Sequence, residues 1–231
     1  MSIQTSIMKK VLVAILLAAT CLSMSAQNRS AKGRDWAKFS TYSEANAQLT
    51  TSPKVVFMGD SITEGWPKAD PDFFTDNNFI GRGISGQTTS ENLVRFRQDV
   101  LELKPKYVAL MIGTNDIAGN NGIISQKNML DNIKSMCELA KANKIKVLLC
   151  SVTPCKHYFW APDVDCAQPI VELNKLIKAY ADATKGVTYV DYFAVLNNGH
   201  NAMIPEYTLD ECHLTPAGYK AIEKVILKYI K

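Results

Sequence analysis

The sequence predicts an α/β fold, a mostly parallel sheet with helices on both faces. Two observations carry this. Short apolar, β-branched runs recur along the chain, and three of them stop at or just past a glycine with polar residues beyond: Gly59 before Ser61, Gly83 after the second run, and Gly113 before Asn115. Between the runs lie segments whose apolar residues return every three or four positions, the period of a helix with one buried face. Strands that alternate with helices imply a parallel sheet covered on both sides.

In chain order, residues 1–26 have the pattern of a secretory signal peptide: Lys9 and Lys10 precede the unbroken apolar run 11–19, and small residues follow to Ser25 and Ala26. That run is too short to span a bilayer stably, and no later segment is apolar enough to cross one. The mature protein is therefore expected in an extracytoplasmic space, secreted or periplasmic. Cleavage after Ala26 is the preferred site. A lipid anchor on Cys21 is the lesser alternative, because Thr20 is bulkier than the Gly or Ala such sites prefer.

Residues 27–53 are polar with the anchors Trp36, Phe39 and Tyr42, and are expected to form an N-terminal arm packed on the domain, helical near residues 42–49. Residues 54–231 are expected to form one domain. Its first strand, Val55-Val56-Phe57-Met58, breaks at Gly59 into a turn carrying Ser61; residues 67–78, rich in Pro, Asp and Asn, predict a loop. A second strand fits residues 78–82. A helix follows from about Thr88 with Leu93, Phe96, Val100 and Leu103 on one face, ended by Pro105. The third strand, residues 107–112, is the clearest core run. A helix over residues 125–143, a strand over 146–151, an aromatic loop over 155–169, a helix over 170–184, a strand over 187–191 and a last helix over 216–230 complete the pattern.

Composition narrows the class. Of 231 residues, 47% are hydrophobic and 21% charged, ordinary for a soluble globular chain. The net charge of +4 includes Lys9 and Lys10, so the mature chain is nearer +2, and its lysines are scattered, which gives no nucleic-acid surface. Five cysteines, Cys137, Cys150, Cys155, Cys166 and Cys212, remain after cleavage, and an odd count leaves at least one free thiol. Cys137 and Cys150 fit small buried apolar positions, while Cys155 and Cys166 bracket a loop and could pair in an oxidising compartment. Three histidines, His157, His200 and His213, form no familiar metal-ligand spacing, and no metal or cofactor is expected.

Parallel strands deliver their carboxyl ends to one edge of the sheet, where ligands bind. Ser61 is there a candidate nucleophile or, equally, the cap of the next helix. Near the far end stands Asp210-Glu211-Cys212-His213, just before the last helix. A carboxylate three residues before an imidazole can accept its Nδ1 proton and leave Nε2 to face a serine hydroxyl. A Ser61, His213, Asp210 triad is therefore possible. The backbone N–H groups of Ser61 and Gly83 and the side-chain amide of Asn115 could stabilise an oxyanion. Singly, each of these residues reads as a turn, cap or loop position; together they point to acyl transfer.

On these blocks, Gly59-Asp60-Ser61, Gly83, Gly113-Thr114-Asn115-Asp116 and Asp210-Glu211-Cys212-His213-Leu214, the sequence resembles the SGNH hydrolases, the GDSL-type esterases and lipases. The resemblance implies a three-layer α/β/α fold similar to flavodoxin. It also implies Ser61 as nucleophile, His213 as base, Asp210 as orienting acid, and Ser61, Gly83 and Asn115 as the oxyanion hole. Ile62-Thr63 stands where the family's name motif has leucine, as in members that resemble acetylhydrolases and carbohydrate esterases.

Other readings are excluded by residue. Gly59 to Gly65 lacks the Lys-Ser/Thr of a phosphate-binding loop, since Trp66-Pro67 follows the second glycine. Gly59-Asp60-Ser61-Ile62-Thr63 lacks the last glycine of a G-x-S-x-G elbow. The expected substrate is a small or saccharide ester with a short acyl group, because no large apolar insertion or lid-like helix is present. Asp60, Trp66, Tyr158 and Trp160 are candidate substrate contacts, although the aromatics could equally close the core over a small pocket. The rivals are a lysophospholipase or thioesterase acting on longer acyl chains, and a silent carbohydrate-binding module on the same fold.

Overall fold

Five apolar runs become the strands of one sheet in a computed structural model that describes residues 35–231. The strands are β1 (Val55–Gly59), β2 (Phe79–Gly83), β3 (Tyr107–Met111), β4 (Lys146–Cys150) and β5 (Val187–Val190), ordered β2-β1-β3-β4-β5 with every neighbouring pair parallel. β1 is central to the active edge: Gly59 is in register with Gly83 on one side and Met111 on the other.

The helices are α1 (Ser43–Ala47), α2 (Ser61–Ala69), α3 (Pro71–Thr75), α4 (Thr89–Phe96), α5 (Thr114–Ile117), α6 (Gln126–Ala142), α7 (Ala167–Ala183), α8 (Tyr192–Leu196) and α9 (Pro216–Ile226). They sort by face. Alternate strand residues Val56, Met58, Val108 and Leu110 pack with Phe96 of α4, Ile133 and Met136 of α6, and Leu173 and Ile177 of α7. Val55, Phe57, Tyr107 and Ala109 face the other way, onto Trp66 of α2, Phe73 and Phe74 of α3, Leu196 of α8 and Ile222 of α9. Two cores on opposite faces of a five-stranded parallel sheet make the three-layer α/β/α architecture.

The stretch expected as a loop, residues 67–78, is mostly helical. α2 runs through Pro67 to Ala69, and α3 begins at Pro71. Asp70 caps α3 by accepting from the Phe73 N–H at 3.4 Å, so Asp70-Pro71 is an N-cap followed by a first-turn proline. Burial of Trp66, Phe73 and Phe74 around Phe57, with ring centroids 5.1–6.0 Å from it, offsets the hydrogen bond that Pro67 lacks. The helix expected from Thr88 has a capping box made by Thr88 and Glu91 and loosens into a π-helical turn at Arg97–Leu101. The helix expected from Ile170 starts earlier, at Ala167, because Pro169 falls in its first turn where a missing N–H costs nothing.

The signal-peptide residues 1–26 lie outside the described residues, as do 27–34. Phe39–Lys231 is one unit, distinct from the chain up to Lys38. Within it, residues 39–53 carry a 3-10 turn at Phe39–Thr41 and α1. The Tyr42 hydroxyl donates to the Gly83 carbonyl, and Asn46 accepts from Arg82 Nε at 2.7 Å and donates to Asp99 at 2.8 Å. Behind β2, the buried Arg95 pairs with the buried Asp99 and donates to Gln87 Oε1 at 2.7 Å and to the Arg82 carbonyl at 3.1 Å.

Trp66, which the sequence leaves open between a substrate contact and a core residue, is 1% exposed, stacked between Phe73 and Tyr219, with Nε1 donating to Glu223 at 3.0 Å. It is a core residue. Replacing it by alanine is expected to cost about 3–5 kcal/mol of stability, read by urea unfolding; a cost under about 1 kcal/mol would remove it from the core.

Candidate active site

β1 ends at Gly59 because nothing larger fits: a Cβ there would collide with the Met111 carbonyl and the Thr63 hydroxyl. The chain turns at once into α2. Asp60, not Ser61, is the N-cap, accepting from the Ile62 N–H at 3.1 Å. The capping position is thereby taken, and the Ser61 hydroxyl is left for another partner. That partner is His213, whose Nε2 lies 2.9 Å from Ser61 Oγ across 152 residues of sequence.

His213 sits on a tight loop closed by the Thr208 to Leu214 bridge and by the Leu209 N–H on the His213 carbonyl at 2.8 Å. Glu211 takes φ +67 at its tip, which folds Asp210 back under the imidazole. Asp210 Oδ1 accepts from the Cys212 and His213 N–H groups at 3.1 and 2.7 Å, while Oδ2 stands 2.8 Å from His213 Nδ1. Burial opposes ionisation of Asp210, but these hydrogen bonds and the imidazole outweigh it and hold the carboxyl below its usual range. An ionised Asp210 assigns the proton to Nδ1 and makes Nε2 the acceptor for the serine O–H.

The hydroxyl opens on a cleft of about 310 Å³. It is lined by Ser61, Ser85, Gly86, Asn115, Asn120, Phe159, Trp160 and His213. Asn115, in α5 just past β3, is 3% exposed and donates through Nδ2 to the Gln87 carbonyl at 3.1 Å. Its neighbour Asp116 faces away, accepting from the Thr89 N–H and hydroxyl at 2.8 and 2.6 Å, which ties α5 to α4; burial pushes its carboxyl up to about 6. Trp160 and Phe159 stand 5.9 and 6.4 Å from the His213 ring. Among the described residues no group of three His, Cys, Asp or Glu could hold a metal ion.

Several expectations are corrected. Gly83 does not line the cleft: it is buried at the end of β2, where a Cβ would strike the Asp60 carbonyl and the Glu64 N–H. The glycine at the cleft is Gly86, three residues on, with φ +80. The strand continues one residue further than its sequence suggests, with Ile84 still donating to the Gly59 carbonyl at 3.2 Å, and this carries Gly83 below the edge. Tyr158 is fully buried against Trp160 and Asp60 is 1% exposed, so neither meets a ligand surface. Burial pushes the Asp60 carboxyl up to about 6, against the pull of the Ile62 N–H and His213. Trp160 does line the cleft. Cys155 and Cys166 are free thiols with sulfurs 3.6 Å apart.

Sequence reasoning passed over Gly86, Ser85 and Asn120. The signal for Gly86 was its place in Ile84-Ser85-Gly86-Gln87, a turn that must bend back to start α4. Asn120, in Gly119-Asn120-Asn121-Gly122, reads as an ordinary turn, and no local feature marks it.

Comparison with known proteins agrees with this architecture. A crystal structure of a GDSL-like lipase from Bacteroides thetaiotaomicron VPI-5482 is 44% identical and superposes with a TM-score of 0.81, covering 85% of this chain and 98% of that one. A curated acetylxylan esterase of Geobacillus stearothermophilus is 21% identical over 211 residues, 79% of this chain and 96% of the relative. An uncharacterized lipoprotein of Bacillus subtilis (strain 168), YqeF, is 28% identical over 170 residues, 63% and 70% of the two chains. With its residues 57–221 matched by the family as a whole, the chain belongs to the GDSL-like lipase/acylhydrolase family.

Proposed function

We propose that the protein is a serine esterase that hydrolyses carboxylic esters with short acyl groups, acetyl groups on carbohydrate foremost. The observation that carries the chemistry is the hydrogen-bonded line from Ser61 Oγ to His213 Nε2 and from His213 Nδ1 to Asp210, at 2.9 and 2.8 Å. Ser61 attacks the ester carbonyl while His213 takes its proton; the alcohol leaves with that proton, and water then clears the acyl-enzyme by the same route. The oxyanion is held by the Ser61 N–H at the start of α2, the Gly86 N–H and the Asn115 amide, Gly86 replacing Gly83 in this role.

The size of the cleft supports the substrate class. A volume of about 310 Å³ is at the low end for small-molecule sites. It suits an acetyl group with part of a sugar, and Phe159 and Trp160 offer rings on which a sugar face can stack. The acetylxylan esterase name of one relative points the same way. For location, the leader-like pattern of residues 9–26 supports export, and the relative named a lipoprotein is consistent with it.

Ser61→Ala is expected to abolish hydrolysis of p-nitrophenyl acetate and labelling by a serine-reactive phosphonate; a purified variant that keeps either is not using Ser61 as its nucleophile. Asp210→Asn removes the acceptor that orients His213, with an expected fall in kcat of about 10²–10⁴ and little change in KM. Because its hydrogen bonds hold Asp210 below the usual carboxylate range, the charge that orients the imidazole is lost, and rate with it, only as pH falls through that lowered range, read from the pH dependence of kcat. Across p-nitrophenyl esters of rising chain length kcat/KM is expected to be greatest for acetate; a maximum at long chains selects the lysophospholipase alternative.

A further inference from the structure

We propose that Asn120 is the positioning residue of the oxyanion hole, turning the Asn115 amide to face the reacting carbonyl and tethering Gly86 beside it; the assignment rests on the esterase reading above. Every polar group of the Asn120 side chain is spent within the cleft. Nδ2 donates one hydrogen to the Asn115 Oδ1 at 3.0 Å and one to the Gly86 carbonyl at 3.1 Å. Oδ1 accepts from Trp160 Nε1 at 3.3 Å, and the backbone N–H donates to the Asn115 carbonyl at 2.9 Å.

The consequence for Asn115 is a matter of counting donors. Its carboxamide has one acceptor oxygen and two N–H groups. Asn120 occupies the oxygen, and the Gln87 carbonyl takes one N–H at 3.1 Å. The second N–H is the group left for the cleft that Asn115 lines. Rotating the amide by half a turn would set its NH₂ against the NH₂ of Asn120 and its oxygen against the Gln87 carbonyl, two repulsions in place of two hydrogen bonds. The same side chain also donates to the carbonyl of Gly86, at a φ of +80 that glycine adopts freely, and accepts from the indole of Trp160. The Asn115 donor, the carbonyl side of the residue that carries a second donor, and the aromatic wall are therefore tied to one side chain.

The test uses the full chain with p-nitrophenyl acetate. Asn120→Asp keeps the shape and the acceptor for Trp160 but loses both donated hydrogens, whereas Asn120→Ala loses everything. Each variant is made alone and with Asn115→Ala. Removing an oxyanion donor outright costs about 10²–10³ in kcat; turning it out of line is expected to cost about tenfold, with KM within about threefold of wild type. Because Asn120 acts largely through Asn115, the loss in the Asn115→Ala background is expected to shrink to about twofold.

Wild-type kcat in folded Asn120→Asp and Asn120→Ala overturns the proposal, and so do losses that multiply fully with Asn115→Ala, since a residue serving only the fold acts independently of Asn115. Asn120→Ser is the reserve where the others lose their thermal transition; failure of all three to fold also overturns it, because the role is then structural. Ser61→Ala runs alongside. If it stays active the esterase reading itself falls, whereas inactive Ser61→Ala beside unimpaired Asn120 variants sinks this inference alone.

Discussion

The active edge depends on backbones meeting with no side chain between them. At the carboxyl end of β1, Gly59 abuts the Met111 carbonyl of β3, and Gly83 at the end of β2 abuts the first turn of α2. Only glycine allows an approach this close, and the approach sets where Ser61 emerges. An added methyl at either place would push apart the strand and the helix whose junction carries Ser61. The parallel register does the rest, bringing the ends of β1, β2 and β3 to one side so that Ser61, Gly86 and Asn115 share a cleft although they lie far apart in the chain.

Behind this edge lies a buried polar layer. Arg95, with no exposure, is satisfied by Asp99, by Gln87 and by the Arg82 carbonyl, while Tyr42 and Asn46 of the N-terminal stretch reach Gly83, Arg82 and Asp99. Charges taken out of water are tolerated only when their hydrogen-bonding groups are met, and here nearly all the partners belong to β2, to the loop after it, or to α4 and the π-helical turn that continues it. The layer thus grips both ends of the turn that presents Gly86. Residues 39–53, part of the stretch that the sequence reading takes as an arm packed on the domain, take part in holding that turn.

The fold was largely legible because its strands are unbroken apolar runs and its long helices keep a regular period. Short helices beyond α1 were less so: α3 hides in a Pro- and Asp-rich stretch where capping residues look like loop residues, and its aromatics reveal their purpose only when Phe57 is known to lie beneath them. Asp210 and His213 could be paired from sequence because three residues is the span of one tight turn, a local relation. Their meeting with Ser61 is long-range and rests on the sheet order. Trp66 and Trp160 show the opposite limit. Both are aromatic residues past a strand, yet one is driven inward by Phe73 and Tyr219 while the other is held at the cleft by Asn120, and nothing in their immediate neighbours distinguishes them. Gly83 was taken for Gly86 for a similar reason, since where the last ladder hydrogen bond falls is decided by the partner strand.

Phe159 remains 63% exposed at the rim, a bare ring beside the serine. Covering apolar surface is worth about 25 cal/mol for each Å² removed from water, and a ligand gains it in equal measure before and during bond breaking. On the proposed esterase reading such a ring would help to gather scarce substrate from dilute surroundings and would do nothing to hasten the cleavage that follows.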